Sequence, residues 1–376
     1  MKTALFTYPC HGVRIALRPH PIRDKARLLI LNDSRLHHKT PHQHARIDQL
    51  PAILKAGDTL VINNVKVIKA RLKGRTRHNN RPCDILLCHP LPQEQHTPDG
   101  IGHAWRAMVK PRKKIPPKTS IIIKDIPTAT VEQHHEDGTS IVSFPCSWEQ
   151  LRHALERFGV MPLPPYIEKK RTSDRRDEQD YQTIFSTQAH RAPQDQTHSA
   201  IASPTAGLHF TPRILYALKR HAISIAPLTL YVGAGTFQPI RHDHIEQHPM
   251  HGEYGLMPNT TARLINRTKQ QGGRIIAVGT TSLRMLETCA SRQGYITPWQ
   301  GITKLFITPR YRFRCADYLL TNFHQPRTTL FMLVCAFSGY TTMHRLYRHA
   351  IRTGYRFYSY GDACLLPHMP RRPSPW

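Results

Sequence analysis

The sequence predicts an α/β protein that carries a small antiparallel β-barrel, and two textures of the chain predict it. From about residue 200 onward, short apolar strands pass through polar turns into helices, the repeating unit of layered α/β folds. From Lys66 to Pro145, six short β-like runs follow one another, separated by Pro, Gly and charged turns with no convincing helix between them. That spacing suits a small barrel. The 376 residues suffice for two such units and at least one full hydrophobic core.

Residues 1–65 begin irregularly, then give the apolar run Arg27 to Leu31, a strand, and a short helix at Leu50 to Leu54. Gly57-Asp58 turns into a second strand, Thr59 to Ile62, which ends in Asn63-Asn64, either a ligand-holding strand end or a solvated turn. The barrel strands are expected at Val67–Leu72, Asp84–Cys88, Ala104–Val109, Ser120–Ile123, Thr128–Val131 and Ser140–Phe144. Their surroundings are basic: Lys66, Lys69, Arg71, Lys73, Arg75 and Arg77, then Lys110, Arg112, Lys113 and Lys114. Two such runs on one small barrel favour phosphate contact over a merely solvated face. Ser147-Trp148-Glu149-Gln150 is a capping box whose helix runs to Phe158 and stops at Gly159. MPLPPYI (Met161 to Ile167) follows as a stiff connector. The apolar-poor stretch Glu168 to Asp180, with Lys169, Lys170, Arg171, Arg175 and Arg176, is expected to be mobile until a partner binds.

SPTAGLHF (Ser203 to Phe210) packs Thr205, Gly207 and His209 into a turn that feeds a helix start at Thr211-Pro212. The helix runs from Pro212 to His221, and a strand, Leu228–Val232, enters GAGT at Gly233 to Thr236. A helix from Thr260 to Gln271 precedes the strand Arg274–Val278, which passes through Gly279-Thr280-Thr281 into a helix carrying Arg284 and Glu287. The strand Tyr318–Leu320 ends in TNFH (Thr321 to His324), before an all-round apolar core helix, Leu330–Phe337. Three strand ends therefore offer glycine amides and threonine hydroxyls to a ligand.

Lys+Arg number 53 against 25 Asp+Glu, a formal charge of +28, and such a field concentrates polyanions, nucleic acid first. No apolar run approaches 18 residues, which argues against a membrane partner, and the opening residues are too weakly apolar for a secretory signal. Eight cysteines contain no C-x-x-C pair, so a reduced, cytoplasmic protein is the simplest account. Gly233-Ala-Gly235 lacks the third glycine of a dinucleotide fingerprint, and no Walker loop exists. His248-Pro-Met-His251-Gly-Glu253 has superficial metal spacing, but its proline and glycine preclude a two-histidine helix face; acid–base or hydrogen-bonding roles fit better. YRFYSYGDA (Tyr355 to Ala363) reads either as aromatics and a cation for a nucleobase or as a buried aromatic strand.

MPLPPYI, YQT (Tyr181 to Thr183), SPTAGLHF, TLYVGAGTFQPI, HPMHGEY, IAVGTTSLRMLE, TNFHQPRTTL and YRFYSYGDA occur in the order found in the S-adenosylmethionine:tRNA ribosyltransferase-isomerases of queuosine biosynthesis. RDKARLLIL (Arg23 to Leu31) and the stretch from Leu50 to Gly74 also resemble that family, so the likeness spans nearly the whole chain and is weakest in the barrel. The resemblance implies a layered α/β main domain, residues 1–70 and 148–376, interrupted by an inserted β-barrel at 71–147. It implies transfer and isomerisation of the ribosyl part of S-adenosylmethionine onto 7-aminomethyl-7-deazaguanine at the wobble position of a tRNA with a GUN anticodon. Epoxyqueuosine-tRNA, adenine and methionine result. It further implies a cytoplasmic protein working without a metal, with a monomer favoured.

On this resemblance His209 is the first choice of base for the C5′ proton that the sulfonium acidifies, with Glu253 or His251 second. His324 or Asp362 is available to protonate the departing adenine. Thr205, Gly233, Gly235, Thr236, Thr280, Thr281 and Asn322 are expected around the cofactor, with Arg284 either on its carboxylate or paired with Glu287. The tRNA is expected to meet Lys66, Arg71, Lys110, Lys113, Lys169, Lys170, Arg171 and Arg356, with Tyr355, Tyr358 and Tyr360 for stacking on a base. The chain departs from the family at Tyr231, where a histidine is usual, at Val65 for threonine, Lys69 for proline and Gln325 for leucine, and in a longer loop, 186–202. The competing readings are a tRNA methyltransferase using the same cofactor and a non-catalytic tRNA-binding descendant of the enzyme.

Overall fold

A computed structural model describes residues 1–32, 40–91, 102–186, 200–233, 240, 242–250 and 252–369. Gly235, Thr236, His251 and most of the extended loop therefore lie outside the described residues.

The chain first forms β1 (Arg14–Ile15), β2 (Arg27–Leu31), β3 (His42–Arg46), the short helix α1 (Leu50–Ile53) and β4 (Thr59–Asn63). It then makes β5 (Arg71–Thr76), β6 (Pro82–Pro90), β7 (His103–Lys110), β8 (Thr119–Ile123), β9 (Ile126–His134) and β10 (Ser140–Phe144). These six close into an antiparallel barrel in the order β10-β7-β6-β5-β8-β9. Closure leaves no unpaired edge, so even five-residue strands hold. Leu72, Ile85, Trp105, Ile121 and Phe144 are fully buried in its core.

The first barrel strand begins at Arg71, later than the sequence suggests, because Val67 and Ile68 form an extended lead-in bonded to Ala200. Gly74 marks the tightest approach of β5 to β8: a Cβ there would stand 2.7 Å from Ile121 Cγ2 and 2.9 Å from the Ile122 carbonyl. Gly74→Ala is therefore expected to destabilise the protein by about 1–3 kcal/mol through overpacking, read from the urea midpoint. An unchanged midpoint would contradict that packing.

Helix α2 (Trp148–Phe158) starts with both capping-box bonds made, Gln150 N–H to Ser147 Oγ at 3.2 Å and Ser147 N–H to Gln150 Oε1 at 2.9 Å. Its Leu151, Ala154 and Leu155 pack into the barrel core. The helices α3 (Pro165–Glu168) and α4 (Asp177–Asp180) follow. The stretch expected to be mobile is instead held by a buried carboxylate. Asp177 accepts from Arg18 at 2.8 Å and from both terminal nitrogens of Arg171 at 2.6 and 2.7 Å, and it also caps the Asp174 N–H.

The main body continues with α5 (Pro212–Arg220), β11 (Ser224–Leu230), β12 (Glu253–Met257), α6 (Asn259–Gln270), β13 (Ile275–Val278), α7 (Thr280–Cys289) and β14 (Trp299–Thr303). It ends with β15 (Tyr318–Asn322), α8 (Thr329–Ser338), α9 (Tyr340–Arg352), β16 (Arg356–Phe357) and β17 (Ala363–Pro367). Nine strands form one mixed sheet in the order β14-β12-β11-β4-β13-β15-β17-β2-β3, with β11, β4, β13 and β15 parallel at its centre. Alternate residues of these strands enter different cores. Val61, Ala277 and Leu319 face α6, α7, α8 and α9, whereas Leu60, Ile62, Ile276 and Leu320 face α1 and α5. Burial on both faces explains why the central strands are apolar throughout. Helix α9 is legible only in the structure, because Gly339, at φ 90°, reads as a stop while it also opens the next helix.

A cleft at the strand ends: candidate active site

The neighbouring parallel strands β13 and β15 end side by side, and their polar turns form the floor of a narrow cleft. Ser203 to Ala206 form one wall, Gly279 to Thr281 and Thr321 to Gln325 the floor, and Tyr166, Tyr358 and Ser359 another wall. Gly279, at φ 88°, turns β13 directly into α7, which brings the positive end of a ten-residue helix to the cleft. Its N–H donates to the Leu320 carbonyl at 2.8 Å, locking the two strand ends together.

Asn322 is the hub. Its Oδ1 accepts from the Thr205 hydroxyl at 2.9 Å, and its amide nitrogen lies 3.4 Å from His209 Nε2 and 3.5 Å from the Ser359 carbonyl. An amide N–H pointing at Nε2 makes that nitrogen the acceptor of a neutral imidazole. Burial lowers the His209 pKa to about 4, opposed by the Asp362 charge and reinforced by Arg356 and Arg23, so the imidazole is unprotonated at neutral pH. Burial likewise lowers His324 to about 3, and its Nε2 lies 3.0 Å from the Thr321 hydroxyl. His324 thus enters the cleft as a neutral group rather than a ready acid. Two buried hydroxyl oxygens of the cleft, Ser203 Oγ and Thr281 Oγ1, have no hydrogen-bond partner among the described residues. A buried hydroxyl without a partner is costly.

The structure thus brings Thr205, Thr280, Thr281, Asn322 and His324 together and sets His209 directly behind Asn322. Gly233 follows Val232 of the cleft, and its N–H donates to Glu253 Oε1 at 3.2 Å. Glu253 and Arg284 form a buried ion pair with each other, which corrects both the Arg284–Glu287 pairing and the picture of Glu253 as an available base. Glu287 accepts instead from the Arg314 and Cys315 N–H groups and from the Tyr311 hydroxyl.

Asp362 is corrected too. It is buried outside the cleft lining, accepts from the Arg27 and Arg356 N–H groups, and pairs with the Arg356 guanidinium at 3.2 Å. Tyr355 and Tyr360 are buried in the core, so neither can stack on a nucleobase; Tyr358, at the left-handed φ of 72°, is the tyrosine of this stretch that reaches the cleft. Among the basic residues, Lys66, Lys110, Lys113, Lys169 and Lys170 are exposed. Arg71 is paired with Glu168 at 2.6 Å, Arg171 with Asp177 and Arg356 with Asp362, so these three are structural cations. Asn63 and Asn64 are structural as well: they bond Leu230 and Thr229 across β4 and β11, and the buried Val65 donates its N–H to Asn63 Oδ1.

Sequence reasoning passed over Ser203, Tyr166, Thr321, Gln325 and Ser359. Tyr166 lies in the proline-rich stretch that reads as a connector, yet its hydroxyl meets Ser359 Oγ at 2.5 Å and receives the Ser359 N–H at 2.8 Å. The pairing of an otherwise plain Pro-Pro-Tyr with Ser359 has no local signal.

Residues 3–366 match the family model described as queuosine biosynthesis protein. A protein of Phenylobacterium zucineum named S-adenosylmethionine:tRNA ribosyltransferase-isomerase is 43% identical over 379 residues, covering 97% of this chain and 99% of its own length. One of the same name from Bradyrhizobium diazoefficiens is 44% identical over 376 residues, covering 97% and 96%. The crystal structure of an S-adenosylmethionine tRNA ribosyltransferase from Thermotoga maritima matches 96% of this chain and 99% of its own at 31% identity, with a TM-score of 0.51.

Proposed function

The chain belongs to the queuosine biosynthesis family of S-adenosylmethionine:tRNA ribosyltransferase-isomerases, and from that premise we propose that its strand-end cleft holds S-adenosylmethionine. The ribosyl unit is moved and isomerised onto 7-aminomethyl-7-deazaguanine at the wobble position of a tRNA with a GUN anticodon. Epoxyqueuosine-tRNA, adenine and methionine are the products. The observation that carries the reading is the pair of partnerless hydroxyls, Ser203 and Thr281, beside the N-terminus of α7. A carboxylate or ribose hydroxyl supplies what both lack, and the helix end favours the anion.

His209 is the proposed base: its neutral Nε2 faces the cleft through Asn322, and it takes the acidified C5′ proton once that amide turns aside. Thr205, Asn322 and Thr280 position the ribosyl unit, and the neutral His324 contributes a hydrogen bond toward the adenine side. Lys66, Lys110, Lys113, Lys169 and Lys170 are the exposed cations proposed to meet the anticodon arm, within an overall formal charge of +28. A monomer is the favoured assembly. No described helix is long and apolar enough to cross a membrane, and we place the protein with its tRNA in the cytoplasm.

The test is incubation with precursor-bearing tRNA and labelled S-adenosylmethionine, followed by nucleoside analysis. Epoxyqueuosine with free adenine and methionine is the expected result. S-Adenosylhomocysteine would identify a methyltransferase, and tRNA binding without product would identify a non-catalytic descendant.

A further inference from the structure

We propose that His42, His44 and His349 form a transition-metal site that clips the edge of the main sheet to helix α9. It takes a divalent ion of the zinc, nickel and copper class. The site is independent of the proposed reaction, since none of the three lines the cleft.

His42 and His44 stand two residues apart on β3, the outermost strand, so the pleat sends both to one face. Helix α9 presents His349 to that face, its ring centroid 3.8 Å from that of His42 and 5.1 Å from that of His44. One ligand nitrogen from each of the three lies within 4.8 Å of the others. The Nε2 atoms of His44 and His349 are 3.1 Å apart. Imidazole nitrogens bound at about 2.0–2.1 Å stand about 2.9 Å apart at a right angle and about 3.3 Å apart in a tetrahedron. Two of the three ligands are therefore already at coordination spacing, and the third needs only a side-chain adjustment.

The surroundings favour the metal-binding tautomer. His44 Nδ1 lies 2.8 Å from the Tyr355 hydroxyl oxygen, which also reaches the Leu28 carbonyl at 3.5 Å. When the tyrosine donates to that carbonyl, its oxygen accepts Nδ1–H and leaves the Nε2 lone pair facing His349, the usual outer support of a metal-bound histidine. The donor set is all imidazole, which selects late first-row ions over calcium or magnesium. The exposure of His44 leaves room for a water as fourth ligand. What the site gains is a tie between an edge strand and the helix packed beside it.

The test compares full-length protein, stripped of metal by a chelator, with His349→Gln and His42→Gln in zinc titration calorimetry and thermal unfolding. The chain has 25 histidines, so stoichiometry relative to wild type is the decisive reading. Each variant is expected to bind one equivalent less and to lose the zinc-induced rise in Tm. Tyr355→Phe is expected to keep the equivalent but weaken it by about 10–100-fold. The proposal is overturned if both variants, folded as judged by an unchanged metal-free Tm, keep wild-type stoichiometry and Tm shift, or if wild type shows no zinc-dependent shift. Should His349→Gln fail to fold, His42→Gln on the edge strand decides.

Discussion

His209→Asn is expected to lower kcat by about 10²–10⁴-fold, the usual contribution of a positioned base, with KM for S-adenosylmethionine little changed. The side chain is buried behind Asn322 rather than in the cleft lining, so its loss removes a proton acceptor more than a binding contact. The pH dependence supplies a second reading. With the folded-state pKa of His209 near 4, the imidazole remains an acceptor well below neutrality, and the acid limb of kcat/KM attributable to this group should lie near pH 4, not 6.5. The same shift bears on stability with a definite sign. The folded pKa lies below the unfolded one, so the unfolded chain binds the extra proton, and stability falls as pH drops from about 6.5 toward 4. His324, lowered to about 3, adds to the same slope. Each buried histidine contributes at most about 1.4 kcal/mol per pH unit in that window. Urea midpoints from pH 7 to 5 should show the slope in wild type and a smaller one in His209→Asn. A folded His209→Asn protein turning over within tenfold of wild type would remove His209 as the base.

Arg284→Met is expected to cost about 3–5 kcal/mol, because it strands the Glu253 carboxylate without its ion partner. Both side chains are at most 6% exposed. The pair joins α7, whose N-terminus floors the cleft, to β12, and Arg284 Nε also donates to the Leu305 carbonyl at 3.1 Å. Adding Glu253→Gln should recover part of the loss, since the double change removes the buried charge as well as its partner. Urea denaturation of the two single variants and the double variant completes the cycle. A cost below about 1 kcal/mol for Arg284→Met would show that the carboxylate is not held by this arginine.

The six-strand barrel and the strand–turn–helix units were readable because short alternating runs and glycine-marked strand ends are local signals. Thr280, Thr281, Asn322 and His324 share one cleft because β13 and β15, adjacent parallel strands, deliver their end turns to one place, and Thr205 joins them through Asn322. Which charges pair was not readable. Arg284 has Glu287 one turn away in sequence, yet it reaches Glu253 across the sheet while backbone N–H groups claim Glu287. Arg171 lies in a run of cations that looks solvated, and the buried Asp177 six residues on turns it into a half-buried anchor. Spacing states which residues are near along the chain; it carries no term for the side chain that arrives from elsewhere.

The sequence by itself determined the order of layers and the chemical character of the three strand ends, because periodicity, turn residues and motif order are properties of neighbouring residues. Only the tertiary structure decided which groups face the cleft. Tyr355, Tyr358 and Tyr360 share one short motif, yet packing buries the first under Arg27 and the last beside Tyr181, and turns only the second, through a left-handed backbone, toward the cleft. The same holds for His42, His44 and His349, brought from opposite ends of the chain to one sheet edge. Burial is set by what a side chain packs against, and those partners are hundreds of residues away.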